Sequence, residues 1–110
     1  MWSDNDYTIE LSSFRKIKLR YKGKVVGFIS TCGEHPEGMG FLNIGQTYLD
    51  TEHRGKGLGK QMYIQLLKGI PKWNGISSYL PNRINQTEIP KIYKSLNETI
   101  LGNWAFIIKE

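Results

Sequence analysis

The sequence predicts a mixed α/β (α+β) fold, and three observations carry that prediction. Up to Leu49, apolar and polar residues alternate in short runs separated by turn-rich connections, as in an antiparallel meander. After Leu49 the apolar period changes from two to three-and-four, which places an amphipathic helix behind the meander. A strand-like run, a second helical pattern and a closing apolar run follow, so the order is strands, helix, strand, helix, strand. At 110 residues the chain, 1–110, reads as one domain, because a core of this size leaves no material for a second.

Each element has its own signal. Tyr7 to Leu11 alternates and reads as a short first strand; the basic run RKIKLRY begins almost at once, and no helix fits between them. Lys16, Lys18 and Arg20 alternate with Ile17, Leu19 and Tyr21, which suits a strand with one wet face better than a binding stripe. YKGK is a turn signal before VVGFIST, so Ile17 to Thr31 reads as a hairpin. CGEHPEGMG is a second turn, and FLNIGQTYL is the third strand of the meander. Leu58, Met62, Leu66 and Ile70, with Tyr63 and Leu67 beside them, mark a helix from near Gly57 that Gly69 and Pro71 stop. GISSYL is a short strand and PNRIN a connection. Ile89, Ile92, Tyr93 and Leu96 then hold helical spacing, with Asn85 or Thr87 as cap and Pro90 tolerated near the first turn. ILGNWAFIIK, apolar on both parities, reads as a well-covered closing strand.

Composition narrows the function classes. Plentiful aromatics point to a packed globule, expected alone or as a small oligomer such as a homodimer. Cys32 is the one cysteine, which excludes an internal disulfide framework and a cysteine-rich zinc site; His35 and His53 are too isolated to suggest a metal. No run approaches the roughly twenty apolar residues of a membrane span, and MWSDNDYTIE lacks the features of a signal peptide. The expectation is a cytoplasmic protein that is not in a membrane, so the sequons at Asn85 and Asn97 carry no meaning. The net charge of +5 suits nucleic acid, an acidic protein face or a polyanionic cofactor. The absence of a recognition helix or an RNA-binding aromatic signature disfavours nucleic acid.

The segment HRGKGLGK sets three glycines and three basic residues (Arg54, Lys56, Lys60) between a strand and a helix, a receptacle for a phosphate chain. A P-loop fails, because its first Gly falls on Arg54 and its hydroxyl on Gln61. The dinucleotide fingerprint fails at Lys60 and because an antiparallel meander precedes it. The pattern Arg/Gln-x-x-Gly-x-Gly/Ala is met by Arg54, Gly57 and Gly59. With the strand before it and the helix after it, this segment resembles the GNAT superfamily of acetyl-CoA-dependent N-acetyltransferases. A second match lies in NQTEIPKIYKSLN, where Asn85, Tyr93 and Leu96 fall in the family's later pattern, and the likeness runs from about Lys16 to Ile108.

The resemblance implies a cofactor, acetyl-CoA, with its diphosphate on Arg54, Gly55, Lys56, Gly57, Leu58, Gly59 and Lys60, and Asn85 also in contact. Glycines there let the backbone approach closely, at the positive end of the helix dipole, and the basic side chains add mobile countercharge at the rim. It also implies that the strand ending in Tyr48 and Leu49 splays from GISSYL. The gap would admit the pantetheine arm along Tyr48, Leu49 and Asp50, with an N–H near Leu49 steadying the oxyanion. Direct transfer to a primary amine in a ternary complex follows. Tyr93 is the implied acid for the leaving thiolate, against the alternative that it merely packs with Ile89, Ile92 and Leu96.

Two departures from the family pattern bear on activity. The strand FLNIGQTYL carries no carboxylate or histidine, which leaves Glu34, His35, Glu37, Glu52 and His53 as undivided candidates for the base. The helices that usually separate the first two strands are absent, since only SSF lies between Leu11 and Arg15; the acceptor side is therefore expected to be open or completed by a partner chain, and to suit a protein amine. The same departures favour an alternative, a catalytically silent CoA-binding or protein-interaction domain.

Overall fold

The computed structural model describes residues 2–12, 16–83, 86 and 88–109. Its strands are β1 (Trp2–Asp4), β2 (Tyr7–Leu11), β3 (Ile17–Tyr21), β4 (Lys24–Glu34), β5 (Phe41–Leu49), β6 (Gly75–Tyr79), β7 (Thr99–Leu101) and β8 (Trp104–Ile108), and its helices are α1 (Leu58–Lys68) and α2 (Glu88–Ser95). They form one mixed sheet in the order β1-β2-β3-β4-β5-β6-β8-β7. The expected mixed fold is the observed one.

The meander follows the alternation. Ile17 and Leu19 of β3 are fully buried while Lys18 and Arg20 stay partly exposed, and Arg20 Nε donates to Glu10 on β2 at 2.9 Å. β2 and β3 pair from Tyr7–Tyr21 to Leu11–Ile17, a hairpin with no room for intervening helices. Residues 13–15 of its connection lie outside the described residues, as do Asn85 and Thr87, the two proposed helix caps.

Three local expectations need correction. β1 was not anticipated; Asn5 and Asp6, at φ 47° and 70°, turn the chain back so that Trp2–Asp4 pairs with β2. β4 continues through Glu34, so Cys32 and Gly33 belong to a strand and the turn is shorter than CGEHPEGMG. The closing run is two strands, because Gly102 at φ 60° and Asn103 make a hairpin of β7 and β8. Only β8 is covered on both faces, through Ala105, Phe106 and Ile107; the three residues of β7 are exposed.

Helix α1 packs on β2, β3 and β4. Its buried residues Leu58, Met62, Tyr63 and Leu66 are the three-and-four stripe, and they join Ile9, Ile17, Leu19, Val26 and Ile29 in one core. Burying such side chains contributes roughly 1.5–3 kcal/mol each, which holds α1 in place although its N-terminus has no side-chain cap.

The feature that makes a site is a failure of pairing. β5 and β6 are parallel partners, and their register stops after Phe41–Gly75, Leu42–Ile76 and Asn43–Ser77. Beyond Asn43, β5 stays with β4 through Gly27–Leu49 and leaves β6. A cleft opens along the rest of β5, between two strands of a single sheet.

Candidate active site

The cleft has two connected walls. On one side a cavity of about 330 Å³ is lined by Thr47, Leu49, Gly57, Gly59, Lys60 and Ile92, among others; on the other a cavity of about 470 Å³ is lined by Phe28, Gln46, Tyr63, Ser78 and Arg83, among others. Thr47, Tyr48, Gln86 and Ile89 line both, so the two cavities share a boundary.

The first cavity is built from the end of β5 and the start of α1. Gly57 sits at φ 77°, a conformation L side chains rarely adopt, and a Cβ placed there would meet nothing within 4 Å. The first intrahelical bond of α1 runs from Gln61 N–H to Gly57 O at 3.1 Å, so the N–H groups of Leu58, Gly59 and Lys60 have no partner inside the helix. No acidic side chain stands in the first turn. Unpartnered donors, the positive end of the dipole and Lys60 therefore face the same open space.

Strand alternation assigns the β5 backbone. Asp50 N–H donates to Val26 O at 2.8 Å, which makes Leu49–Gly27 the pair without mutual hydrogen bonds and turns the Leu49 N–H and C=O away from β4. Thr47, two residues earlier, is turned the same way. The main-chain groups on the open edge are thus those of Thr47 and Leu49, while those of Tyr48 and the Asp50 N–H are committed to β4. Tyr48, 47% exposed, lines the cleft; a hydrogen bond to Asp50, followed by that carboxylate's charge, raises its hydroxyl pKa.

Of the residues proposed from sequence, Tyr48, Leu49, Arg54, Gly55, Gly57, Leu58, Gly59 and Lys60 meet at this cleft. Asp50 and Lys56 are not in its lining, and Asn85 lies outside the described residues. Two of the basic side chains are tethered rather than mobile at the rim. Arg54 Nε donates to Leu49 O at 2.8 Å, fastening the glycine turn to the end of β5. Lys56 turns toward β2, where Nζ lies 3.4 Å from the Tyr7 hydroxyl.

The lining of the second cavity is mostly neutral. Tyr63 is fully buried, its hydroxyl is hydrogen-bonded to Thr47 Oγ1, and burial raises its pKa. Tyr93 packs edge-on to Tyr63, ring centroids 5.2 Å apart, with the Arg83 guanidinium 4.7 Å from its ring. Only Tyr63 of this pair lines the cavity. The Tyr93 hydroxyl is buried with Tyr63 and Ser78 as neighbours, yet no hydrogen bond of good geometry forms; burial first, and then Tyr63, holds its pKa well above a free phenol's. Arg83 is buried in the wall, Nη1 donating to Glu98 at 3.1 Å while Nε has no partner.

None of the five candidate bases lines either cavity. Glu34, Glu37 and Glu52 are exposed elsewhere, and His35 is buried edge-on beneath Trp104 and Phe106. His53 Nδ1 is 2.6 Å from the Tyr7 hydroxyl. Among the described residues, no group of three or more His, Cys, Asp or Glu side chains could hold a metal, and no helix is long and apolar enough to cross a membrane. Thr47, Tyr63, Ser78, Arg83 and Gln86 were not anticipated as site residues. Arg83 stood in what read as a plain connection, and its buried partner is fifteen residues away.

Residues 1–93 match the acetyltransferase (GNAT) family. The chain belongs to that family. Solved structures agree at the level of fold. A putative acyl-CoA N-acyltransferase from Klebsiella pneumoniae is 16% identical, with 86% of this chain and 72% of that one covered and a TM-score of 0.70. The diaminobutyrate acetyltransferase of Paenibacillus lautus, solved with L-2,4-diaminobutyric acid and coenzyme A, is 17% identical, with 86% and 70% covered and a TM-score of 0.60. A ribosomal-protein-alanine N-acetyltransferase from Brucella melitensis is 14% identical, with 84% and 67% covered and a TM-score of 0.66. A search of curated proteins finds no match. This GNAT chain thus places its glycine turn, helix start and splayed strands together.

Proposed function

We propose that this GNAT protein transfers an acetyl group from acetyl-CoA to a primary amine by direct attack, both substrates being bound at once. The observation that carries the reading is the uncapped start of α1 facing the same open space as the free edge of β5. The residues fit the co-substrate. Backbone N–H groups from Leu58 to Lys60 and the Lys60 ammonium hold the diphosphate, and the Thr47 main-chain groups pair with the amides of the arm as an added strand would. Acetyl-CoA supplies an activated acyl carbonyl. The Leu49 N–H, fixed by the ladder to β4, donates to the negative charge that develops on the carbonyl oxygen. Tyr93 is the acid of the proposal: its raised pKa keeps it protonated at neutral pH, and Tyr63 is the hydroxyl between it and the cleft.

No Asp, Glu or His among the described residues lines the second cavity, the acceptor side of this proposal, and Glu88 is the carboxylate that lines the cleft on its other side; the bare acceptor side favours a second reading, a CoA-binding domain without turnover. Release of free thiol from acetyl-CoA in the presence of amines supports the enzyme; binding without release under every acceptor supports the silent domain.

Binding itself is tested by melting the protein with CoA, acetyl-CoA and ATP. At a ligand concentration a hundred times its dissociation constant, wild type gains about 2.7 kcal/mol, seen as a rise in Tm. Gly57→Val folds with a cost of about 1–3 kcal/mol from the positive φ and loses that rise, because its side chain stands where the diphosphate lies. An undiminished response in the variant would refute the placement.

A further inference from the structure

We infer that the acceptor is an α-amine flanked by an amide carbonyl, taken up in its neutral form. This rests on the acetyl-transfer reading above. The acceptor-side cavity of about 470 Å³ presents Gln46, Thr47, Ser78, Asn82, Arg83 and Gln86 as its main polar lining, and no Asp, Glu or His among the described residues lines it. Its titratable groups are Tyr48, Tyr63 and Arg83. Of the carboxylates around it, Asp50 is engaged with the Tyr48 hydroxyl and Glu98 with Arg83, while Glu88 lines the adjoining cavity, 4.0 Å from the Lys91 ammonium. A cavity with no Asp, Glu or His in its lining offers an ammonium ion neither a counter-charge nor a ready base.

The chemistry balances without a base. A neutral amine brings its lone pair, the N–C bond forms as the C–S bond breaks, and one amine proton ends on the sulfur. The requirement falls on the acceptor instead. At pH 7 an α-amine beside an amide carbonyl, of pKa about 7.7–8.0, is neutral in roughly one molecule in ten, and a lysine side chain of pKa about 10.4 in about one in 2,500. The roughly 250-fold advantage is partly returned because a less basic amine is a poorer nucleophile.

Arg83 adds a recognition element. Arg83 lines the cavity, and its guanidinium, with one side-chain hydrogen bond to Glu98, has donors in excess of its acceptors. An acceptor carrying an oxygen next to its amine meets that excess, whereas a plain alkylamine does not. Arg83 is thus a positioning residue for the acceptor's carbonyl.

The test uses the full chain and thiol release at fixed acetyl-CoA, with an amino-acid amide, a tripeptide with a free N-terminus, a free amino acid, an Nα-blocked lysine amide and a simple alkylamine as acceptors. At pH 7 kcat/KM for the best α-amine should exceed that for blocked lysine by about tenfold or more, and should rise with pH until the acceptor's own pKa. The amide and the peptide should outrank the free amino acid, whose α-amine is more basic and so less often neutral. The double variant Arg83→Gln with Glu98→Gln, which removes both charges together, should raise KM for the α-amine about tenfold with kcat within about twofold and leave the acetyl-CoA melting shift intact. Preference for blocked lysine, an inflection that stays put when the acceptor changes, turnover of none of the panel, or an unchanged KM in a folded double variant would overturn the inference. If that variant does not fold, the acceptor ranking and pH profile of wild type decide. Loss of acetyl-CoA binding in wild type would instead remove the reading on which it rests.

Discussion

Gly75→Ala is expected to destabilise the protein by about 4 kcal/mol or more, a large share of the 5–15 kcal/mol that holds a typical folded chain. Gly75 opens β6 at φ 155°, paired on one side with Phe41 and on the other with Ile108. A Cβ there would stand 2.0 Å from the Ile107 carbonyl oxygen and 3.1 Å from the Ile108 Cα. Both are backbone atoms of β8, so relief requires moving the strand. β6 is also the wall from which β5 departs, and its parallel pairing with β5 lies at its start. Urea unfolding should show a lower midpoint at an unchanged slope. A loss of under about 1 kcal/mol would mean that β6 and β8 do not approach this closely at Gly75.

Tyr93→Phe should lower kcat about a hundredfold or more and leave Tm unchanged or slightly higher, the range general acids contribute being roughly 10²–10⁴. The two halves of that expectation have different causes. The Tyr93 hydroxyl is buried and unpartnered, so its removal costs the fold no hydrogen bond and relieves a desolvated polar group. The ring stays, with its contacts to Tyr63 and Arg83. A fall in kcat then reports chemistry, not packing. An unchanged kcat would remove Tyr93 from proton transfer and leave Tyr63, the phenol that lines the cleft.

Much of the fold was legible because its signals are local. Period two in IKLRY, period three-and-four from Leu58 to Leu66 and the stop at Gly69 each depend on residues within a turn or two of one another. The elements that escaped were small hairpins. Asn5-Asp6 and Gly102-Asn103 are turn signals, but the strands that flank them, WSD and TIL, are too short to show alternation. The glycine turn was legible for the same local reason, since three glycines at a strand-to-helix junction specify an open, donor-rich helix start.

What neighbours along the chain specify, then, is the order of elements, the α+β class and the phosphate-type turn with its family resemblance. What required the folded chain is everything set by partners far apart in sequence. Lys56 turns to Tyr7 on β2, Arg83 buries itself against Glu98, Tyr63 stands between Tyr93 and the cleft, and every candidate base lies elsewhere. Hydrogen bonding and desolvation act through space, so a charge read as a rim cation or a loop residue acquires its role only when the sheet brings its partner within about 3 Å.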